Sequence, residues 1–109
     1  MKEIKSEFEK IVQEDFNQFR EISKKFSKID MTDIDGLNEL VIDSWLLATR
    51  WSEIQSNSLK LSKEFGINKT DFNTWSYQKY RQLQEMHITV RSWYRMAKEE
   101  YRANSMLEG

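Results

Sequence analysis

Proline is absent from this chain, and its three glycines stand at positions 36, 66 and 109. Proline costs a helix interior about 3 kcal/mol and glycine about 1 kcal/mol relative to alanine, so little here interrupts a helix once it has begun. Long helices are the default, and the question becomes where they stop. Ile4, Phe8, Ile11, Val12, Phe19, Ile22, Phe26 and Ile29 recur at three- and four-residue spacing, which puts them on one side of a helix over about 3–29. Asp30-Met31-Thr32-Asp33 then offers side-chain oxygens to unpaired amides. The first helix is expected to stop near Asp30, with Thr32 capping the second.

The second helix reads over about 33–65, tolerates Gly36 in its first turn and ends at Gly66-Ile67-Asn68. Glycine just past a helix end takes the left-handed conformation without strain, and an apolar residue after it packs back on the last turn. Asn68 is the natural cap of a third helix over about 69–103, and Asp71 three residues on makes an approximate capping box. Two short connections between helices of similar length predict an all-α, up-down-up antiparallel bundle. It occupies 1–109 as one domain, as a chain or as a dimer. At about 1.5 Å per residue the three helices would be roughly 40–50 Å long. Helices this long also admit an opened form in which two chains exchange them.

Apolar residues at 39% suit a folded domain, whereas 32% charged residues and a mean hydropathy of -0.78 exclude a membrane span and imply wide solvated faces. There is no cysteine, so disulfides, thiolate metal sites and cysteine nucleophiles are excluded together. The first residues, MKEIKSEFEK, lack the apolar stretch of a signal peptide, and a cytoplasmic location is the expectation. A net charge of -1 gives no global pull toward nucleic acid or anionic lipid. Binding of that kind would need a local patch.

Two surfaces exceed what a plain bundle requires. Leu37, Leu40, Val41, Leu47, Ala48, Trp51, Ile54, Leu61 and Phe65 give the second helix a broad core arc. Ile42 and Leu46 point away from it and Trp45 lies at its edge, so the helix is apolar nearly all round between Leu40 and Ala48. A wider contact within the chain or a partner would cover them. The third helix carries a core stripe of Phe72, Trp75, Leu83, Met86, Val90, Trp93, Ala97 and Tyr101. Beside it runs a second stripe of Tyr77, Arg81, Gln84, Ile88, Arg91, Arg95, Lys98 and Arg102.

Residues 69–102 hold seven Lys/Arg against four Asp/Glu, a formal +3, while residues 1–65 hold ten against thirteen, a formal -3. The basic stripe therefore either neutralises the protein's own acidic helices, within one chain or across a dimer, or binds something acidic. Arginine suits carboxylate or phosphate, with Tyr77 or Tyr80 available for stacking on bases. Asp15 and Lys79 sit on apolar stripes and are expected at similar height, close enough to pair, with His87 as the other candidate for Asp15.

The segment SLKLSKEFGINKTDFNTW, residues 58–75, resembles a helix-turn-helix. The likeness rests on Ser62 four before Gly66, on apolar Phe65, Ile67, Phe72 and Trp75, and on polar Lys69, Thr70, Asn73 and Thr74 placed to face DNA. Any helical hairpin with a glycine-ended first helix gives the same pattern, and these helices are long for a compact DNA-binding unit.

His87 is the single histidine. The chain has no Glu-x-x-His pair, no glycine-rich phosphate loop and no Gly-x-Ser-x-Gly elbow. No catalytic residue, cofactor or metal ligand is assigned, and an enzyme is not expected. The leading expectation is a non-catalytic interaction protein, of the adaptor, chaperone, inhibitor or assembly-factor kind. It would self-associate or dock on a protein partner through Ile42, Trp45 and Leu46 and through Tyr77, Arg81, Ile88, Arg91, Arg95 and Arg102. The alternative is a nucleic-acid-binding accessory or regulatory protein that uses the same stripe or residues 58–75.

Overall fold

A computed structural model describes the backbone over residues 2–108 and the side chains over 7–103. The Ile4 side chain, counted in the first stripe, lies outside the described residues. The described chain is all α: α1 (Lys2–Ile11), α2 (Gln13–Lys28), α3 (Ile34–Ser56), α4 (Ser58–Phe65) and α5 (Lys69–Glu108). The first two expected helices are each divided, and the third runs on past residue 103.

Neither division falls at a glycine. At Val12 the backbone leaves the helical region (φ -119°, ψ 42°). Even so, the Val12 N–H donates to the Phe8 carbonyl at 3.3 Å and the Phe16 N–H to the Val12 carbonyl at 2.8 Å. The adjacent β-branched pair Ile11-Val12 is stiff in a helix, and the bend lets Phe8 meet Phe72 edge-on, with ring centroids 5.3 Å apart. At Asn57 (φ -95°, ψ 12°) the local chemistry is plainer. Its side-chain amide and its backbone N–H both donate to the Glu53 carbonyl at 3.0 Å, and the Ser56 hydroxyl takes the Ser52 carbonyl at 3.0 Å. Short polar side chains of this kind compete with the helix for its own backbone.

The turn between α2 and α3 corrects the expected cap. Thr32 is occupied by Asp30, whose Oδ1 accepts the Thr32 N–H at 2.8 Å and its hydroxyl at 2.7 Å. Those two bonds hold the Asp30 carboxyl below its ordinary pKa. Asp33 is the N-cap instead and accepts the Gly36 N–H at 3.0 Å. Gly36 is more than tolerated there. A β-carbon at that position would stand 2.8 Å from Asp33 Cγ and collide with the capping carboxylate.

The second turn matches its sequence. Gly66 is left-handed (φ 66°, ψ 35°), the Gly66 and Ile67 amides both return to the Ser62 carbonyl, and Asn68 Oδ1 accepts the Asp71 N–H at 3.0 Å. A β-carbon at Gly66 would meet nothing within 4 Å, so the left-handed backbone conformation sets the cost of an alanine there. Gly66→Ala is expected to lower stability by about 1 kcal/mol and Gly66→Asn by less, as read from urea midpoints at constant slope.

α5 is a continuous 40-residue helix. At about 1.5 Å per residue it is roughly 60 Å long, which accounts for the longest dimension of the molecule, 63 Å. α3 and α4 run antiparallel to it in one register, since Ser44 meets His87 and Ser58 meets Asn73. α2 lies on one side of this pair: Phe19 contacts Trp51, Phe16 contacts Trp75, and Phe26 stacks on Trp93 at 5.2 Å. The core therefore has an aromatic end around Phe8, Trp51, Phe72 and Trp75 and a mainly aliphatic end around Leu37, Leu40, Leu83 and Val90.

Four serines, at 44, 58, 62 and 76, are buried along the seam between α3/α4 and α5, where small side chains let backbones approach. Two members of the expected stripes fall outside the core. Tyr101 is 66% exposed, because α5 continues beyond the start of α3, and Phe65 is 50% exposed at the hairpin end. No helix among the described residues is long and apolar enough to cross a membrane.

Candidate interaction surface

The three-sided body leaves one broad face of the α3/α5 pair open, on the side away from α2. From α3 it receives Ile42 and Trp45, which are 50% and 54% exposed, and from α5 Ile88, which is 64% exposed. Their position follows from helical phase. Leu40, Leu47 and Trp51 take the buried side of α3, and Leu83 and Val90 take that of α5, which turns these apolar residues to solvent. Trp45 and Ile88 line the same groove, together with Ala48, Tyr80, Gln84 and His87. Two patches assigned separately on the sequence are thus one surface. Leu46, 56% exposed, turns instead toward a second groove between α2 and α3, beside Ile22 and Arg50.

His87 forms the inner edge of the open face. Its Nδ1 lies 3.1 Å from the Val41 carbonyl and 3.3 Å from the Ser44 hydroxyl. A carbonyl only accepts, so Nδ1 carries the hydrogen and donates to Val41. The Ser44 hydroxyl also donates to that carbonyl, at 3.1 Å. His87 is therefore a link between α3 and α5.

The expected polar layer is rearranged. Asp15 takes Arg50, with Nε 3.2 Å from Oδ1, a partner the sequence reading passed over. The Asp15 contact, with a lesser contribution from Glu53, raises the Arg50 pKa. Lys79 does lie at the height of Asp15, as expected: its ammonium stands 5.1 Å from the centre of the Phe19 ring and 5.9 Å from those of Phe16 and Trp75. Such contacts between a cation and aromatic faces are favourable.

Along α5, Tyr77, Arg81, Arg91, Arg95 and Arg102 are all exposed. Arg81 approaches the Tyr77 hydroxyl at 3.5 Å and Glu85 at 3.8 Å, and solvated contacts this long contribute little. Among the described residues the ion pairs are those of Arg50 with Asp15 and Glu53 and of Arg81 with Glu85. Among the described residues, no ion pair joins the basic stripe to an acid of α3.

Of the residues in the helix-turn-helix-like segment, Lys69, Thr70 and Thr74 are exposed. Asn73 is half-buried, and its side-chain carbonyl accepts the Ser58 hydroxyl at 3.3 Å. Asn73 is thereby turned into the hairpin, where α4 lies along α5. Compared with models of protein families, with curated proteins and with solved structures, the chain matches none.

Proposed function

We propose that this protein is a non-catalytic helical interaction module, of the adaptor, chaperone, inhibitor or assembly-factor kind, that works through the open α3/α5 face. The observation that carries this reading is that Trp45 of α3 and Ile88 of α5, each more than half exposed, line one groove, with Ile42, half exposed, about one helical turn before Trp45. Scattered apolar residues are ordinary on a surface, but a contiguous patch rimmed by polar groups marks a binding site. The up-down-up arrangement of three helical arms, in a dimer and in the cytoplasm, belongs to the same proposal.

A photoreactive side chain placed at position 45 in cells tests it against the same group at Lys24, which is exposed on α2. Covalent protein adducts are expected from position 45 and not from position 24. No adduct from 45, or equal labelling from both, would overturn the reading.

Arg91 and Arg95, which have no ion-pair partner among the described residues, favour a second reading, binding of nucleic acid along α5. It requires a salt-sensitive complex with a mixed-sequence oligonucleotide that weakens when either arginine becomes alanine. Under the first reading, no complex forms even at low ionic strength.

A further inference from the structure

We infer that the occupant of the open face is a second copy of this chain, related by a two-fold axis running along the helices, so that α3 of each copy lies on α5 of the other. The inference rests on the interaction reading above and adds the partner and its orientation.

Charge decides between the symmetric ways of closing the face. In line with Ile42 on α3 stand Asp35, seven residues before it, and Glu53, eleven after it, whereas Glu39 and Asp43 lie in the grooves toward α2; in line with Ile88 on α5 stand Arg81 and Arg95. A two-fold axis across the helices would set α3 on α3 and α5 on α5, turning acid toward acid and arginine toward arginine at the rim. An axis along the helices turns those acids toward the arginines instead.

Height then matches individual residues. Ser44 is level with His87 and Ser58 with Asn73, so Asp35 is level with the turn of α5 that carries Arg95, and Glu53 lies within a turn of Arg81. Rotation about an axis along the helices keeps every residue at its height. Asp35 of one copy then faces Arg95 of the other, Glu53 faces Arg81, and Trp45 meets Ile88. Each contact occurs twice, as two-fold symmetry demands. Arg81 and Arg95, which among the described residues pair with no acid of α3 in their own chain, each find one across this interface.

Size is also adequate. The 23 residues of α3 span roughly 34 Å at about 1.5 Å per residue. Across two helices about 10 Å wide, the flat face is on the order of 700 Å², close to the ~800 Å² per partner of a standard interface.

Sedimentation of the full chain tests the inference. The expected mass is that of two 13.2 kDa chains. Trp45→Glu with Ile88→Glu should give a monomer that keeps its helical signal, since both residues are exposed in the single chain, and whose melting temperature no longer depends on protein concentration. Asp35→Arg and Arg95→Asp should each weaken the dimer about tenfold, because two rim pairs of up to ~1 kcal/mol become repulsive together. The two changes combined in one chain should restore it. A dimer indifferent to all of these substitutions would overturn the arrangement. A wild-type monomer at every concentration would overturn the second copy as occupant; the interaction reading would then stand or fall separately on adducts from position 45. A monomer that binds oligonucleotide and loses it with Arg95→Asp would overturn both.

Discussion

Trp51→Ala is expected to destabilise the protein by about 3 kcal/mol, at the lower end of the 3–5 kcal/mol usual for removing a large buried aromatic side chain. Trp51 is fully buried, and its ring meets Trp75 edge-on at 5.5 Å and Phe19 at 6.3 Å. The loss falls at the low end because the indole Nε1–H has no hydrogen-bond partner among the described residues. A buried donor left unpaired costs about 1–3 kcal/mol, and alanine removes it with the ring. Trp51→Phe separates the two contributions. It keeps most of the aromatic contact and discards the orphan donor, so its net cost should stay within about 1 kcal/mol. Urea unfolding of both variants checks this. Equal losses would show that the indole N–H is satisfied.

Phe72→Ala should cost a similar ~3–5 kcal/mol, with a different distribution over the molecule. Phe72 is fully buried against Phe8 at 5.3 Å and Trp75 at 6.0 Å. Phe8 attaches α1 to the body, and at Val12 the backbone leaves the helical region before α2 begins. Removing the Phe72 ring should therefore release α1 before the rest unfolds. Amide hydrogen exchange would show protection lost over the described part of α1 while α3 and the middle of α5 keep theirs. Uniform loss along all five helices would mean that α1 folds as one unit with the core.

These two residues lie on stripes that the sequence displays openly, and much of the fold was legible in the same way. Missing prolines, the glycine at 66 and the cap at Asn68 are local signals, and local geometry answers to them. Val12 shows where that logic stops. Its bend accompanies the aromatic contact of Phe8 with Phe72, a residue far away along the chain, and no spacing within α1 and α2 announces that contact. Asn57 is different, because Ser52, Ser56, Asn57 and Ser58 form a polar cluster that does signal a break.

The candidate face was legible by halves. Helical phase turns Ile42 and Trp45 outward on one helix and Ile88 outward on another. That they share a groove depends on how α3 and α5 are rotated against each other, and the buried serines of the seam set that rotation. The polar layer was legible in part. Phase places Asp15 on the correct side of its helix but does not say that α3 also brings it a cation, Arg50, with Nε 3.2 Å from Asp15 Oδ1.

Those serines have one more consequence. The hydroxyls of Ser44, Ser62 and Ser76 each donate to a carbonyl of their own helix, to Val41, Ser58 and Asn73. Each helix surface enters the seam already satisfied, so nothing in those three bonds opposes a slip of one helix past the other by a turn. The bonds that cross the seam do oppose it: His87 with Val41 and Ser44 toward one end, Ser58 with Asn73 toward the other. In a smooth-sided hairpin these are the detents of a ratchet, and the chain's only imidazole serves as one of them.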